Sequence, residues 1–175
     1  MANQEKLQEA FDKYLSTLTK TSERRKLWTS ETKNIIIETL TAIQKTFKMG
    51  WRIQKLEQTE NYQTINIHID NHSSGIIQTN NNGTSIKSFT KYGGYLAYCQ
   101  SYNGKINVII GFPYIEEWVS QMDIKVIATI EPNEVTEELI TNNIIHFLKT
   151  MEEWEGKDRE PREPVGYKLQ EEKTI

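Results

Sequence analysis

Residues 94–112 have the sequence GYLAYCQSYNGKINVIIGF, and they hold the sharpest local signal of secondary structure in the chain. Its centre, Asn103-Gly104, accepts the positive φ angles of a two-residue type I′ turn, and side chains alternate in polarity on both sides of that turn. Parallel neighbours would need a crossover of about a dozen residues, so a turn this short joins antiparallel strands. The stretch therefore predicts a β-hairpin with strands at 94–102 and 105–112.

The same two-residue period extends over residues 51–130. Turn-forming segments such as 80–83 (Asn-Asn-Asn-Gly) and 93–94 (Gly-Gly) separate the apolar runs. Further strands are predicted at 51–58, 62–70, 75–79, 84–89 and 123–130. Pro113 ends the hairpin, and 114–122 is interpreted as a short helical or irregular excursion. Because the connections are short, we expect an antiparallel meander of five to seven strands.

Helical periodicity marks the segments before and after the strands. No glycine or proline precedes Gly50, and apolar residues in this region recur at three- and four-residue steps. They form two stripes: Leu7, Ala10, Phe11, Tyr14, Leu15 and Leu18, then Ile36, Ile37, Leu40, Ile43 and Phe47. Thr/Ser-rich stretches at 19–22 and 29–32 leave open whether one long kinked helix or a helix pair forms. A last helix is predicted between Thr136, a suitable N-cap, and Gly156.

Together these elements predict an α+β fold with one domain over residues 1–156. The N-terminal helix or helix pair and a C-terminal helix are expected to cover one face of the sheet, because an apolar sheet face has to be buried. On the predicted strand 62–70, alternation turns His68 and Asp70 to the opposite, open face. Residues 157–175 hold ten charged residues and two prolines, and we expect a disordered charged tail.

Composition and charge exclude several classes of protein. With 21 Lys+Arg against 24 Asp+Glu, the net charge of -3 is too close to zero for a generic polyanion binder. The single cysteine, Cys99, can form neither an intrachain disulfide nor a cysteine zinc cluster, which fits a reducing compartment. The longest apolar run, 108–112, is far shorter than a membrane span. We therefore expect a soluble cytoplasmic protein with no membrane association.

The spacing most suggestive of chemistry lies at residues 68–72, His-Ile-Asp-Asn-His. Alternate residues of a strand share a face about 6.6–6.8 Å apart, so these side chains could hold a cation or form a His-Asp pair. The segment also has the composition of a solvated strand end, and we favour that interpretation.

Cys99 is interpreted as a small buried side chain rather than a nucleophile. Because residues 68–72 are interpreted as a solvated strand end, we expect no metal site. Segment 91–94 lacks a phosphate-loop pattern, and we expect no cofactor.

Two groups of residues are candidates for binding. Aromatic residues with polar tips concentrate around the hairpin, and together with the open-face residues of strand 62–70 they define a candidate binding surface. Its members are Tyr95, Tyr98, Tyr102, Tyr114, Trp118, His68 and Asp70. The same aromatics also serve as ordinary cross-strand stabilisers of a sheet. The second group, Arg24, Arg25 and Lys26, is a candidate anion-binding cluster, with a solvated helix face as the plainer interpretation.

These observations favour a non-enzymatic, cytosolic protein-interaction module, chaperone-like or inhibitor-like in architecture. We expect it to form a homodimer and to bind a protein partner through the open sheet face or the N-terminal helices. The alternative is a small-molecule-binding protein or a hydrolase with its pocket around His68, Asp70 and the tyrosines. A third, disfavoured hypothesis is weak nucleic-acid binding through the cluster at residues 24–26, since three cations neutralise few phosphates.

Overall fold

A single helical rod forms the N-terminal part of the chain. The structure, a computed structural model, describes residues 2–59, 62–117 and 123–156. Helix α1 (Ala2–Leu27) runs through a π-helical turn (Trp28–Thr32) directly into α2 (Lys33–Thr46). Of the two arrangements that the sequence leaves open, the chain therefore adopts the one long helix. The predicted charged tail at 157–175 and Trp118 lie outside the described residues.

Within the described residues, eight strands and a last helix, α3 (Glu137–Gly156), follow the rod, and the predicted α+β fold is confirmed. The strands are β1 (Trp51–Thr59), β2 (Tyr62–Ile69), β3 (His72–Thr79), β4 (Ser85–Tyr92), β5 (Tyr95–Gln100), β6 (Ile106–Gly111), β7 (Tyr114–Ile115) and β8 (Ile124–Ile130). All pairings are antiparallel, in one sheet of order β1-β2-β5-β6-β8 and a smaller one of order β3-β4-β7. Strand β7 falls within the segment interpreted as an irregular excursion.

The two sheets share one long hairpin that bends in the middle. Strand β2 continues into β3, and β4 into β5, each across a two-residue break, and the outer halves pair with each other as the inner halves do. At the break, the Ile69 N–H donates to the Gly94 carbonyl at 2.9 Å. A Cβ on Gly93 would lie only 2.0 Å from the Ile69 carbonyl oxygen. The glycine pair therefore makes a bend within continuous strands, where the sequence indicates a turn between separate ones.

The predicted β5–β6 hairpin is confirmed, but the predicted type of its turn is wrong. The Ser101 N–H donates to the Lys105 carbonyl at 2.7 Å, and the Gly104 N–H donates to the Ser101 carbonyl at 2.9 Å, so three residues form the loop. Within the loop only Gly104 has a positive φ, 78°, whereas a type I′ turn requires two such residues. Arg24 of α1 packs so closely on Gly104 that an added Cβ would lie 2.6 Å from the Arg24 Cβ. A tight helix contact therefore accompanies the longer loop and its left-handed glycine.

Helices α2 and α3 pack on one face of the five-stranded sheet and close the core, as predicted. Its fully buried side chains include Trp28, Ile36, Leu40, Ile65, Ile67, Leu96, Tyr98, Ile106, Val108, Ile110, Ile140 and Phe147. The second stripe predicted for the N-terminal helix supplies two of them, and the predicted apolar face of α3 supplies two more. Each such side chain stabilises the fold by about 1.5–3 kcal/mol.

The π turn anchors the rod to this core. Trp28, its first residue, is buried and donates its indole N–H to Gln63 Oε1 at 3.0 Å. The hydroxyl of Thr32, its last residue, donates to the Pro132 carbonyl at 3.1 Å. Buried positions 28, 32, 36 and 40 follow at four-residue steps, which are longer than the 3.6 residues of one α-helical turn. The π turn contains more residues than an α-helical turn, so it compensates for part of this difference and keeps the four side chains on the core side.

An ion pair fixes the end of α1 to the loop after β8. The Arg24 guanidinium donates to both Glu131 carboxylate oxygens, from Nε at 2.6 Å and from Nη2 at 2.7 Å. Lys105 lies 3.2 Å from the same carboxylate. The hydrogen bond from Arg24, aided by Lys105, holds the pKa of Glu131 below its usual range despite partial burial.

Because this pKa is depressed in the folded protein, the ion pair stabilises the fold above the unfolded-state pKa near 4.5. That stabilisation is lost as the pH falls through the depressed value. We expect Glu131→Gln to lower the free energy of unfolding at pH 7 by about 1 kcal/mol, a modest amount since the carboxylate is partly exposed. Thermal unfolding of both proteins across a pH series measures the difference, which should shrink toward zero in acid. A difference of the same size at pH 7 and in strong acid would contradict this assignment.

Candidate functional site

The face of the five-stranded sheet opposite α2 and α3 carries a groove. Strand register arranges its side chains in three rows across the strands. From β1 to β8 these rows are Arg52-His68-Tyr95-Gly111-Ile124, Gln54-Asn66-Ala97-Ile109-Val126 and Leu56-Thr64-Cys99-Asn107-Thr129. A concavity of about 420 Å³ opens over the central strands, and we call it the sheet groove. It is lined by Gln54, Leu56, Thr64, Asn66, His68, Asn71, Tyr92, Gly93, Tyr95, Ala97, Cys99, Ile109 and Ile124.

Small residues at the middle of the rows make the face concave. Gly111 has no side chain, and the Tyr95 ring lies across it: an added Cβ would be 2.1 Å from the ring carbon Cε1. Ala97 and Cys99 continue the floor along β5. Larger, more exposed apolar side chains, Leu56 and Ile124, stand on the outer strands. Alternation along β5 thus places Ala97 and Cys99 in the floor of the groove, beside the Tyr95 ring, and turns Leu96 and Tyr98 into the core.

Two side chains that line the groove each carry a polar atom that is itself buried and has no hydrogen-bond partner within the described chain. Asn66 is only 7% exposed, and its Oδ1 is buried without a donor. Nδ1 of His68, two residues along the same strand and on the same face, is also buried without a partner. A buried polar atom that lacks its hydrogen bond costs about 1–3 kcal/mol. The side chains that line the groove therefore carry hydrogen-bonding capacity that the described part of the fold does not use.

Burial also keeps the groove uncharged at neutral pH. Loss of hydration lowers the pKa of His68 more than the Asp70 carboxylate raises it, so the imidazole is neutral. Loss of hydration likewise raises the pKa of the Cys99 thiol and of the Tyr95 hydroxyl, and both stay protonated. Asp70 itself pairs with Arg52 at 2.6 Å, at the end of the first row.

The arrangement gives no support to a cysteine nucleophile or a metal site. Cys99 pairs with Thr64 in the strand register, and His68 lies four residues farther along β2, about 13 Å away. A thiol that is held protonated and lies beyond hydrogen-bond reach of an imidazole is not an activated nucleophile. His146 is on α3, at the other face of the sheet. Across residues 2–59, 62–117 and 123–156, no three His, Cys, Asp or Glu side chains are close enough together to hold a metal ion.

The structure divides the predicted aromatic surface among several places. Tyr95 and His68 line the groove, while Tyr98 is fully buried on the helix side and accepts a hydrogen bond from Asn143 Nδ2 at 3.2 Å. Tyr102 is exposed in the hairpin loop. Tyr114 stacks on Tyr92 with ring centroids 4.5 Å apart, beside the groove. Trp118 lies outside the described residues, and ligand binding by any of these side chains stays a prediction.

The predicted anion-binding cluster makes contacts within the chain. Arg24 is engaged by Glu131, and Arg25 Nη2 donates to the Tyr102 carbonyl at 2.7 Å. Lys26 is exposed. These bonds attach the rod to the hairpin loop, and anion binding at the cluster stays a prediction.

Sequence reasoning did not single out Asn66 or Gly111 as site residues. The position of Asn66 could have indicated its role. It is a short amide side chain between two isoleucines on an interior strand, and it is buried because strands pair on both sides of it. The signal for Gly111 is a glycine inside a strand, which often marks a close approach. In each case the register with the neighbouring strands is needed, and register is not visible in a single strand.

The second notable surface is on α1. The apolar stripe predicted for its first turns faces solvent instead of the core, with exposed fractions of 70% for Leu7, 54% for Phe11 and 48% for Leu18. Contact with the sheet domain begins near Thr21 and Arg24, which touch the hairpin loop. The first five turns of the rod therefore project from the domain with their apolar side uncovered.

Comparisons with protein-family models, with curated proteins and with solved structures find no match for this chain. Among the described residues, no helix combines the length and the apolar character needed to cross a bilayer. The sheet groove and the exposed stripe of α1 are the two described surfaces that suit binding of another molecule.

Proposed function

We propose that this protein is a non-enzymatic protein-interaction module that acts as a homodimer, held together by antiparallel pairing of the α1 helices. The observation that carries the proposal is the uncovered stripe: Leu7, Phe11 and Leu18 are about half exposed or more on a helix that extends from the domain. Apolar side chains repeated along one side of a projecting helix are stabilised when a second helix covers them.

The spacing of the stripe suits a coiled coil. Its seam positions alternate steps of three and four residues without interruption, the 3.5-residue repeat that keeps a seam facing its partner. They are Gln4, Leu7, Phe11, Tyr14, Leu18 and Thr21. Ala10 and Leu15 flank the seam and widen its apolar surface.

Antiparallel pairing matches this seam residue for residue. With a two-fold axis between residues 12 and 13, Leu7 faces Leu18 of the second copy and Phe11 faces Tyr14. Polar residues close both ends, since Gln4 then faces Thr21. The overlap of 18 residues is about 26 Å long and ends where α1 meets its own domain. In this arrangement the two domains would lie at opposite ends of the paired helices.

Charge is arranged to permit this contact. Between residues 3 and 22 every charged side chain lies off the seam and its flanks: Glu5, Lys6, Glu9, Asp12, Lys13 and Lys20. On that outer side Lys13 pairs with Glu9 at 2.6 Å. Parallel pairing would place the two copies of Arg25 opposite each other at the next seam position and would crowd both domains at one end. Antiparallel pairing avoids both costs.

The resulting dimer would display two sheet grooves, one at each end of the helical rod. A partner with two matching sites would gain avidity from this bivalent arrangement, because the second contact forms within one complex. This is how the dimer would serve an interaction module.

Sedimentation equilibrium of the full chain tests the proposal. With four apolar layers in the seam we expect a dissociation constant in the micromolar range. The mean mass should rise with concentration from 20.5 kDa toward twice that value. A mass of 20.5 kDa at every concentration, up to high micromolar, would refute the homodimer.

A further inference from the structure

The sheet groove has the size and chemistry of a ligand pocket. Its volume of about 420 Å³ lies within the range of about 300–1,000 Å³ that is usual for small-molecule sites. None of the described residues that line it is Asp, Glu, Lys or Arg. With His68 and Cys99 both neutral, the groove carries no charge to balance that of an ionic ligand. Transfer of an ion into such a site would cost hydration without compensation, so its ligand should be uncharged.

Asn66 supplies the specific polar contact. It lies on the interior strand β2, is more than nine-tenths buried, and its Oδ1 has no hydrogen-bond donor among the described residues. The torsion that turns an asparagine amide is broad, so the oxygen can swing toward the groove at low cost. A ligand N–H that reaches this oxygen would recover the hydrogen bond that the fold leaves unmade. Nδ1 of His68 on the same face offers a second unused position.

The aromatic side chains that line the groove suit a flat, apolar ligand. The Tyr95 ring packs over Gly111, and the Tyr92 ring stacks on the Tyr114 ring. Such rings offset-stack with other aromatic rings. Ile109 adds an aliphatic surface within the floor.

We propose that the sheet groove binds an uncharged, planar heteroaromatic ring that donates an N–H hydrogen bond to Asn66 Oδ1. The site is independent of α1 and does not require the dimer. Free heterocycles and an indole side chain of a protein partner share this chemistry.

The binding of three indole compounds distinguishes the contribution of the hydrogen bond from that of apolar burial. Indole has the N–H; 1-methylindole lacks it; 3-methylindole carries the same extra methyl group but keeps the N–H. We expect ¹H–¹⁵N spectra of the full chain to shift at groove residues with indole and 3-methylindole. Binding of 1-methylindole should be weaker by roughly three- to tenfold, the value of one buried hydrogen bond. Equal affinity for all three, or shifts confined to residues outside the groove, would overturn the proposal.

Asn66→Leu provides the matching change in the protein. Leucine has the same branching but no polar atoms, so the preference for indole over 1-methylindole should vanish. Removal of the unpartnered oxygen should also raise the melting midpoint by about 2–4 °C. Gln100→Met is the control: Gln100 is likewise buried with an unpartnered oxygen, but on the helix side of the sheet. The control should keep the preference, and its loss in both variants would overturn the role of Asn66. Should the leucine variant fail to fold, the three ligands still decide the question on the native chain.

A short indole-containing peptide with blocked N- and C-termini distinguishes a free heterocycle from the side chain of a protein partner as the source of the ring. Binding of free indole alone indicates a small-molecule site, and binding of the peptide at the same residues indicates a protein partner. Failure of the groove test leaves the α1 dimer untouched, because the two surfaces share no residue.

Discussion

Leu18→Glu is expected to dissociate the proposed dimer. In the proposed antiparallel seam each Leu18 would pack against Leu7 of the other copy, so one substitution would alter two apolar layers. Each leucine that is buried contributes about 1.5–3 kcal/mol, and the glutamate adds a desolvated charge. The dissociation constant should therefore rise at least about 100-fold, measured by sedimentation equilibrium. The folded monomer should keep its stability, because Leu18 is 48% exposed in it.

Ser16→Glu is the matched control for this change. Residue 16 is exposed, on the outer side of the same helix, and receives the same new charge without entering the seam. Its dissociation constant should stay within about twofold of the native value, since an exposed charge in helical surroundings has a small effect. Equal weakening by both substitutions would indicate a nonspecific effect of charge and would count against the seam.

Gly93→Ala is expected to disrupt the bent hairpin and with it the fold. The added Cβ would lie 2.0 Å from the carbonyl oxygen and 2.6 Å from the carbonyl carbon of Ile69. These are backbone atoms, and the Ile69 N–H donates a hydrogen bond to the carbonyl of the adjacent Gly94. Neither strand can therefore move away from the added Cβ without a large loss of stability. We expect a loss of at least about 3 kcal/mol in the free energy of unfolding, among the larger effects of single substitutions.

Urea denaturation measures this loss, with Gly156→Ala as the control. Gly156 ends α3, no atom of the described residues lies within 4 Å of an added Cβ, and its φ is not positive. The control should lie within about 0.5 kcal/mol of the native protein. A Gly93→Ala protein as stable as the control would show that the close approach at the bend is absent.

The fold was predictable where local chemistry decides it. The two-residue period of β5 and β6 and the glycine of their loop give the hairpin, and the spacing of Ile140, Ile144 and Phe147 gives the buried face of α3. The type of the β5–β6 turn was not predictable, because Arg24 packs on Gly104 from a helix 80 residues earlier in the chain.

The bend and the second sheet were also beyond local reasoning. Gly93-Gly94 looks like an ordinary turn, and only the pairing of Ile69 with the returning strand shows that the strand bends there and continues in the same hairpin. The open sheet face was predictable from alternation alone. Which residues form its groove was not, since Asn66, Tyr95 and Gly111 meet through the register of three strands.

The stripe on α1 shows a different limit. Its period predicts an amphipathic helix correctly, but the sequence does not say whether the domain or another molecule covers it. Contact between the rod and the domain begins only near Thr21 and Arg24, so the earlier stripe stays uncovered.

Distances between spin labels on α1 test the antiparallel dimer most directly. Glu5→Cys, Asp12→Cys and Thr19→Cys, each combined with Cys99→Ser, place labels at equivalent outer positions one heptad apart. Antiparallel pairing predicts a short distance for position 12, beside the two-fold axis, and axial offsets of about 20 Å or more for positions 5 and 19. Equal distances at all three positions would indicate parallel pairing, and absence of dipolar coupling at high concentration would refute the dimer.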